Sequence, residues 1–202
     1  MKRGLLILIL FFSSVLGAQS RTGLPRYTFG AEWSYTATFF TGHRYYFIAP
    51  EGFRVDDRND EFKYFTDAEI FAHAGMNINS KWNLSLYLGY IGIGDFHAGI
   101  PLSVRATRFF GDDHLRDRWF AYCDIGSGLS MKEHPQALFT AKAGGGYRLS
   151  FSRLTKLDFI ASIRFIHTHP DIIFYGEKIR MEQINRNIGY TLSTSFGLSI
   201  TF

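Results

Sequence analysis

From Ile188 to its last residue the chain alternates without a break: Ile188, Tyr190, Leu192, Thr194, Phe196, Leu198, Ile200 and Phe202 stand against Gly189, Thr191, Ser193, Ser195, Gly197, Ser199 and Thr201. A period of two places the first set on one face of a β-strand and the second on the other, whereas a helix would spread both around its circumference. The run is also longer than an ordinary globular strand of about five or six residues. Seven more segments repeat the pattern, at 27–40, 66–78, 82–93, 100–110, 118–131, 137–151 and 156–168. The expectation is an all-β chain of eight long strands.

The connections sort into two kinds. Those at 79–81, 111–117 and 152–155 are short, while 41–65 and 169–187 are long loops. Short turns on one side, long loops on the other and both chain ends on the short side describe an antiparallel up-and-down transmembrane β-barrel. Within lipid a sheet must close on itself, because every backbone amide needs a partner. Strands of about 9 to 11 residues are enough to cross.

The two rows of each strand decide between lipid and water outside. One row is apolar and aromatic, and aromatic residues make up 17% of the chain. The opposite rows hold Gly, Ser and Thr with embedded charges: Glu32, Asp67, Glu69, Arg105, Asp124, Lys142, Arg148, Asp158 and Arg164. A solvated strand face carries more Lys and Glu and fewer glycines, while a narrow lumen needs small residues and paired charges. An eight-stranded interior is just wide enough for side chains to fill, so the eight other than Asp67 are expected to form an ion-pair network that plugs the lumen, with His73 as a filler beside them. Arg108 is the charged exception on the apolar rows, placed near the short-turn rim where it can snorkel to head groups. Tyr27, Trp82, Phe110, Trp119, Phe151 and Phe202 fall near strand ends on that side, as an interfacial girdle.

Phe202, closing the row Phe196, Leu198, Ile200, resembles the C-terminal signal read by the barrel-insertion machinery of Gram-negative bacteria. With this terminal strand and the architecture above, the whole mature chain resembles the small eight-stranded outer-membrane barrels of the OmpA and OmpX type. That resemblance implies an integral outer-membrane protein in contact with outer-membrane lipid and lipopolysaccharide, with a structural, adhesin-like or defence-related surface role and no cofactor.

The N-terminus fits this location. Lys2 and Arg3 precede an apolar run from Leu5 to Phe12 and a small-residue stretch ending at Ala18, the layout of a secretory signal peptide. Residues 1–18 are expected to be removed, leaving a barrel domain of 19–202. Loss of Lys2 and Arg3 lowers the formal net charge from +4 to +2, weak grounds for a nucleic-acid partner. Cys123 is the only cysteine, so neither an internal disulfide nor a lipid anchor at the cleavage site is available.

Chemistry-bearing groups are few. His167 and His169 end the seventh strand on the parity of Phe165, on the lipid-facing side near the outer leaflet. Lipid A deacylases of the PagL kind carry a His-x-Ser pair on such a face, but the third position here is His169, which lacks a nucleophilic hydroxyl. The His, Ser and Asp set of the palmitoyltransferase barrels is not evident either. A lipid A-modifying enzyme is therefore the alternative to a non-enzymatic barrel, and a metal grip by the histidine pair is a third reading. The acids of 54–61 lack a calcium-loop register and are interleaved with arginines, so they read as solvated loop charge. The glycines of 89–94 and 144–146 precede no helix, so they cradle no phosphate. In the last long loop, Ile172 to Tyr175, Gly176 and Glu177 to Arg180 read as a hairpin continuing the seventh and eighth strands. Phe174 and Tyr175 on it either bind a surface protein partner or pack on Tyr45, Tyr46 and Phe47 of the first loop.

Overall fold

The computed structural model describes residues 25–49, 51–94, 97–111, 113–131 and 135–202. The expected signal peptide lies outside the described residues. Eleven strands follow in order: β1 (Tyr27–Ile48), β2 (Arg54–Glu61), β3 (Phe65–Asn77), β4 (Trp82–Gly94), β5 (His97–Phe109), β6 (Arg118–Ser130), β7 (Ala137–Ser150), β8 (Lys156–Thr168), β9 (Ile173–Phe174), β10 (Glu177–Lys178) and β11 (Ile184–Thr201). β1, β3 to β8 and β11 form the wall of a closed eight-stranded antiparallel barrel, each paired with its neighbours in sequence and β11 paired back onto β1. At the closing seam Phe202 donates its amide to the Phe29 carbonyl at 2.8 Å and Phe29 donates to the Phe202 carbonyl at 3.1 Å. Their rings stack with centroids 5.8 Å apart.

Period-two alternation turns this wall inside out relative to a soluble protein. Trp33, Ile70, Leu86, Leu88, Leu102, Ile125, Ile163 and Phe196 point outward with at least half of each surface uncovered, a contiguous apolar belt that only lipid can cover. All six girdle aromatics are exposed at the short-turn rim. Arg108 stands among them, with its guanidinium carbon 5.7 Å from the Trp82 ring and 5.9 Å from that of Phe110.

The first long loop departs from expectation. β1 does not stop near residue 40 but runs to Ile48, and residues 54–61 form a strand, β2, paired along Thr41 to Ile48. A β-bulge hides this in the sequence. Thr38 opposes Ser193 but Phe40 opposes Leu192, which leaves Phe39 as the extra residue. One inserted residue exchanges the faces of everything after it. Below the bulge Glu32, Ser34, Thr36 and Thr38 point inward; above it Thr41, His43, Tyr45 and Phe47 do. β11 likewise begins at Ile184, not 188, so β2, β1 and β11 continue above the barrel as a three-stranded platform.

An outward-facing arginine at mid-depth tests this orientation. Ile125→Arg should cost about 2 to 4 kcal/mol of folding free energy in lipid vesicles, and Leu129→Arg, near the extracellular end of the same strand, about 0 to 1 kcal/mol. Denaturant titrations in phospholipid vesicles measure both.

Candidate functional site

The eight charges of the expected network meet in the lumen. Arg105 is held by both Glu32 oxygens, with Nη2 donating to Oε1 at 3.1 Å, and its Nε donates to Asp124 Oδ2 at 3.1 Å. Tyr87 and Tyr122 flank the same guanidinium, their ring centroids 3.8 and 4.2 Å from its central carbon. Lys142 Nζ lies 2.7 Å from Glu69 and 3.7 Å from Glu32, and Arg164 binds the other Glu69 oxygen. Lower down, Arg148 grips Asp158 in a bidentate pair with both contacts at 2.7 Å. Four cations thus face four carboxylates. The spacing comes from register: Arg105 opposes Asp124 across β5 and β6, Asp124 opposes Lys142 across β6 and β7, and Lys142 opposes Arg164 across β7 and β8. His73 fills the space beside them, stacked on Tyr87 at 4.8 Å and 3.5 Å from the Ser199 hydroxyl.

Sequence reasoning missed what lies above and below this network. Toward the long-loop end, inward Phe71, Tyr87, Ile91, Leu138 and Ile166 make a buried apolar cluster. Toward the short-turn end, Phe109 and Phe120 pack with Tyr122 and Ile160, and Arg118 and Arg148 lie over the Phe109 ring at 4.0 and 4.4 Å. The inward parity of Arg118 and Phe120 was the available signal. Gly146 of β7 makes room for one of these rings, since a Cβ there would come within 2.6 Å of Phe120. Inside the wall, the space lined by Tyr87, Arg105, Phe109 and Arg148 amounts to about 20 Å³, room for one water. The lumen is a packed interior in which the eight network charges are matched among themselves, while Arg118, buried at the short-turn end, donates from Nη1 to the Ser80 carbonyl at 2.6 Å.

The platform above it has two dissimilar faces. Its inner face carries Tyr45, which donates to Asp57 at 3.0 Å, and His43, 2.9 Å from Asn187. The segment expected to continue strands seven and eight instead forms a separate two-stranded hairpin, β9 with β10. It folds over that inner face and buries Ile172 and Ile179 with Phe47 and Ala49. Phe174 packs edge-on against Phe47 at 5.3 Å. Apolar residues on a strand above water need such a cover, which is why the hairpin turns inward and does not lengthen the wall. Tyr46 points to the opposite face, where Arg54 lies 4.3 Å from its ring. Tyr175 is 89% exposed at the hairpin tip.

On the outer face, Tyr190 reaches across Gly42 to donate to Asp60 at 2.8 Å. A Cβ at Gly42 would lie 2.3 Å from that ring. Hydrogen bonds from Arg58 and then Tyr190 hold the Asp60 carboxyl below the usual carboxylate range. Its tie between β2 and β11 is therefore complete above that usual range and is lost only as pH falls through the lowered value.

The two histidines part company at the end of β8. His167 keeps register, opposite Phe139 and Tyr190, while His169 lies past the strand, its Nδ1 3.3 Å from the Ala137 carbonyl. Their rings meet edge to face at 5.1 Å. Neither forms a hydrogen bond to a hydroxyl or carboxylate among the described residues. No group of three or more metal-ligating side chains occurs there either. His169 also lines a recess of about 410 Å³ at the extracellular mouth, with His43, Glu61, Lys63 and Thr191.

No family model matches the chain and no curated protein sequence matches it. Among solved structures, it is similar to the outer membrane protein OprG from Pseudomonas aeruginosa, with a TM-score of 0.56 at 7% identity over 87% of this chain and 95% of that one. Neisserial surface protein A aligns with a TM-score of 0.49 at 10% identity, over 87% and 97% of the two chains. The N-terminal β-barrel domain of Pseudomonas aeruginosa OprF aligns at 0.43 and 15%, over 85% and 97%. The OprG match places the fold among the small outer-membrane barrels.

The network makes unequal demands on its members. Glu69→Gln leaves Lys142 and Arg164 without their shared carboxylate and should destabilise the barrel by about 3 to 5 kcal/mol. Lys142→Met should cost less, because Glu69 keeps Arg164 and Glu32 keeps Arg105. Equilibrium unfolding of the two variants in one detergent gives the comparison.

Proposed function

We propose that the protein is an integral, non-enzymatic barrel of the bacterial outer membrane, exported by way of residues 1–18 and inserted through recognition of the strand ending in Phe202. Its work is done at the surface, where it binds a partner and stabilises the envelope. The observation that carries this reading is the platform of β2, β1 and β11, with the hairpin packed under it. A packed lumen spans the membrane beneath it, and the chain's defined elaboration stands above the bilayer. Tyr175 and Ile173, both largely exposed on the hairpin, are the side chains offered to a surface protein partner, with Phe174 anchoring them from behind.

The competing reading, a lipid A-modifying enzyme, depends on His167 or His169. Complementation separates the two. In a strain lacking the gene, a variant with both histidines replaced by alanine should restore envelope resistance to detergent and surface attachment, and the lipid A mass profile should be the same with and without the gene. A variant with Ile173 and Tyr175 replaced by serine should insert normally and fail to restore attachment. Loss of complementation in the histidine variant, with a changed lipid A profile, would establish the enzyme instead.

A further inference from the structure

The parity switch at Phe39 has sorted charge between the platform's faces. Above the bulge, β1, β2 and β11 contain four arginines, Arg44, Arg54, Arg58 and Arg186, and register puts all four on the outward face. Arg44 opposes Arg58 on one side and Ile188 on the other, and Arg186 opposes Tyr46, whose row is completed by Asp56. The inward rows, Thr41, His43, Tyr45 and Phe47 with Val55, Asp57, Asn59 and Glu61, hold no lysine or arginine.

Two of these cations are matched within the platform. Arg54 pairs with Asp56 at 3.3 Å and Arg58 pairs with Asp60. Arg44 and Arg186 are exposed, and neither forms an ion pair or side-chain hydrogen bond among the described residues, although the Asp60 carboxylate also feels the charge of Arg44. Arg44 and Arg58 stand directly across from one another, and Asp56 and Asp60 are the carboxylates on these rows, so the face keeps two more cations than anions.

Depth identifies the anion. Phe40, in contact with Phe62 at 5.2 Å and Tyr190 at 6.0 Å, marks the outer aromatic level. Arg44 lies two same-face rows higher on β1. At about 3.3 Å per residue and a strand tilt of about 40°, that is a rise of about 10 Å, the level of lipid head groups. Arginines at that height, on a face continuous with the lipid-facing wall, look sideways into the outer leaflet and not up into the medium.

We propose that the outward face of the platform, with Arg44 and Arg186 at its centre and Arg58 beside them, is a binding site for phosphorylated lipid head groups of the outer leaflet. A phosphate accepts paired donors from guanidinium groups and offsets the excess positive charge of Arg44 and Arg186. Ile188 and Tyr46 supply apolar and aromatic surface on the same rows. The site deepens the surface-barrel reading by naming what the protein holds beside it, and it rests only on the barrel spanning a bilayer.

The test uses the full-length mature protein in detergent micelles, with retention of lipid read by native mass spectrometry. Wild type should retain phosphorylated lipid A, and dephosphorylated lipid A about tenfold less well. Arg44→Ser with Arg186→Ser should lose about the same factor for the phosphorylated lipid, while Arg116→Ser, in a short-turn connection, should not. Heat-modifiable migration reports whether each variant is folded. Millimolar inorganic phosphate should fail to displace the lipid. Equal retention of the two lipid A forms by wild type overturns the proposal without recourse to any variant. Unchanged retention by the folded double variant overturns it too, as does full displacement by inorganic phosphate, which would mark a free-anion site. Each of these results leaves the attachment phenotype of the hairpin variant untouched, so failure here is separable from failure of the broader reading.

Discussion

Closure of β11 onto β1 is the constraint on which the rest of this molecule depends. Lipid offers no hydrogen-bond partner to a backbone amide, so an open sheet in a bilayer would leave one edge of unmade bonds on each side. The seam runs from Phe29 and Phe202 at one end to Phe47 and Ile184 at the other. Once the wall is closed, period two leaves each strand with one row for lipid and one row for the lumen. A chain of moderate average hydropathy can then be thoroughly apolar where it meets the membrane.

The lumen follows from the same geometry. Eight strands enclose a space that side chains fill, and the charges placed at its middle are matched by one another. Their balance of four against four, and the sharing of Glu69 by Lys142 and Arg164, make the interior a network in which each member depends on several strands. Buried pairs of this kind contribute little net stability over an apolar core; what they supply is a unique register, since a shift of one residue would drive every charge into lipid. Aromatic and aliphatic layers seal the network at both ends, so the middle of the barrel acts as support for what stands on it.

Much of this could be read from the residues alone. All eight wall strands, the outward girdle and the members of the ion-pair network are visible because alternation is a strong signal and charge on an inward row needs a partner. Other features left no such trace. Ile91, Leu138, Ile160 and Ile166 share the parity of the inward rows, but their apolar side chains read as lipid-facing, so hydrophobicity masked what parity placed in the lumen. The platform was hidden by the bulge at Phe39, which breaks the period, and by the charge of β2, whose Arg54 to Glu61 run looks like a solvated loop. A charged strand is what an exposed sheet edge requires to avoid pairing with another chain. The covering hairpin depends on Phe47, whose inward direction is set only by that bulge.

The three tryptophans, Trp33, Trp82 and Trp119, all face outward, with Trp82 and Trp119 at the short-turn rim and Trp33 higher on β1. Fluorescence of single-tryptophan variants in vesicles of lipids brominated at different chain depths therefore tests the inside-out arrangement directly. Trp33 should be quenched most by bromine deep in the acyl chains, and Trp82 and Trp119 by bromine near the head groups. Quenching of Trp33 by aqueous iodide, with no response to brominated lipid, would contradict that arrangement.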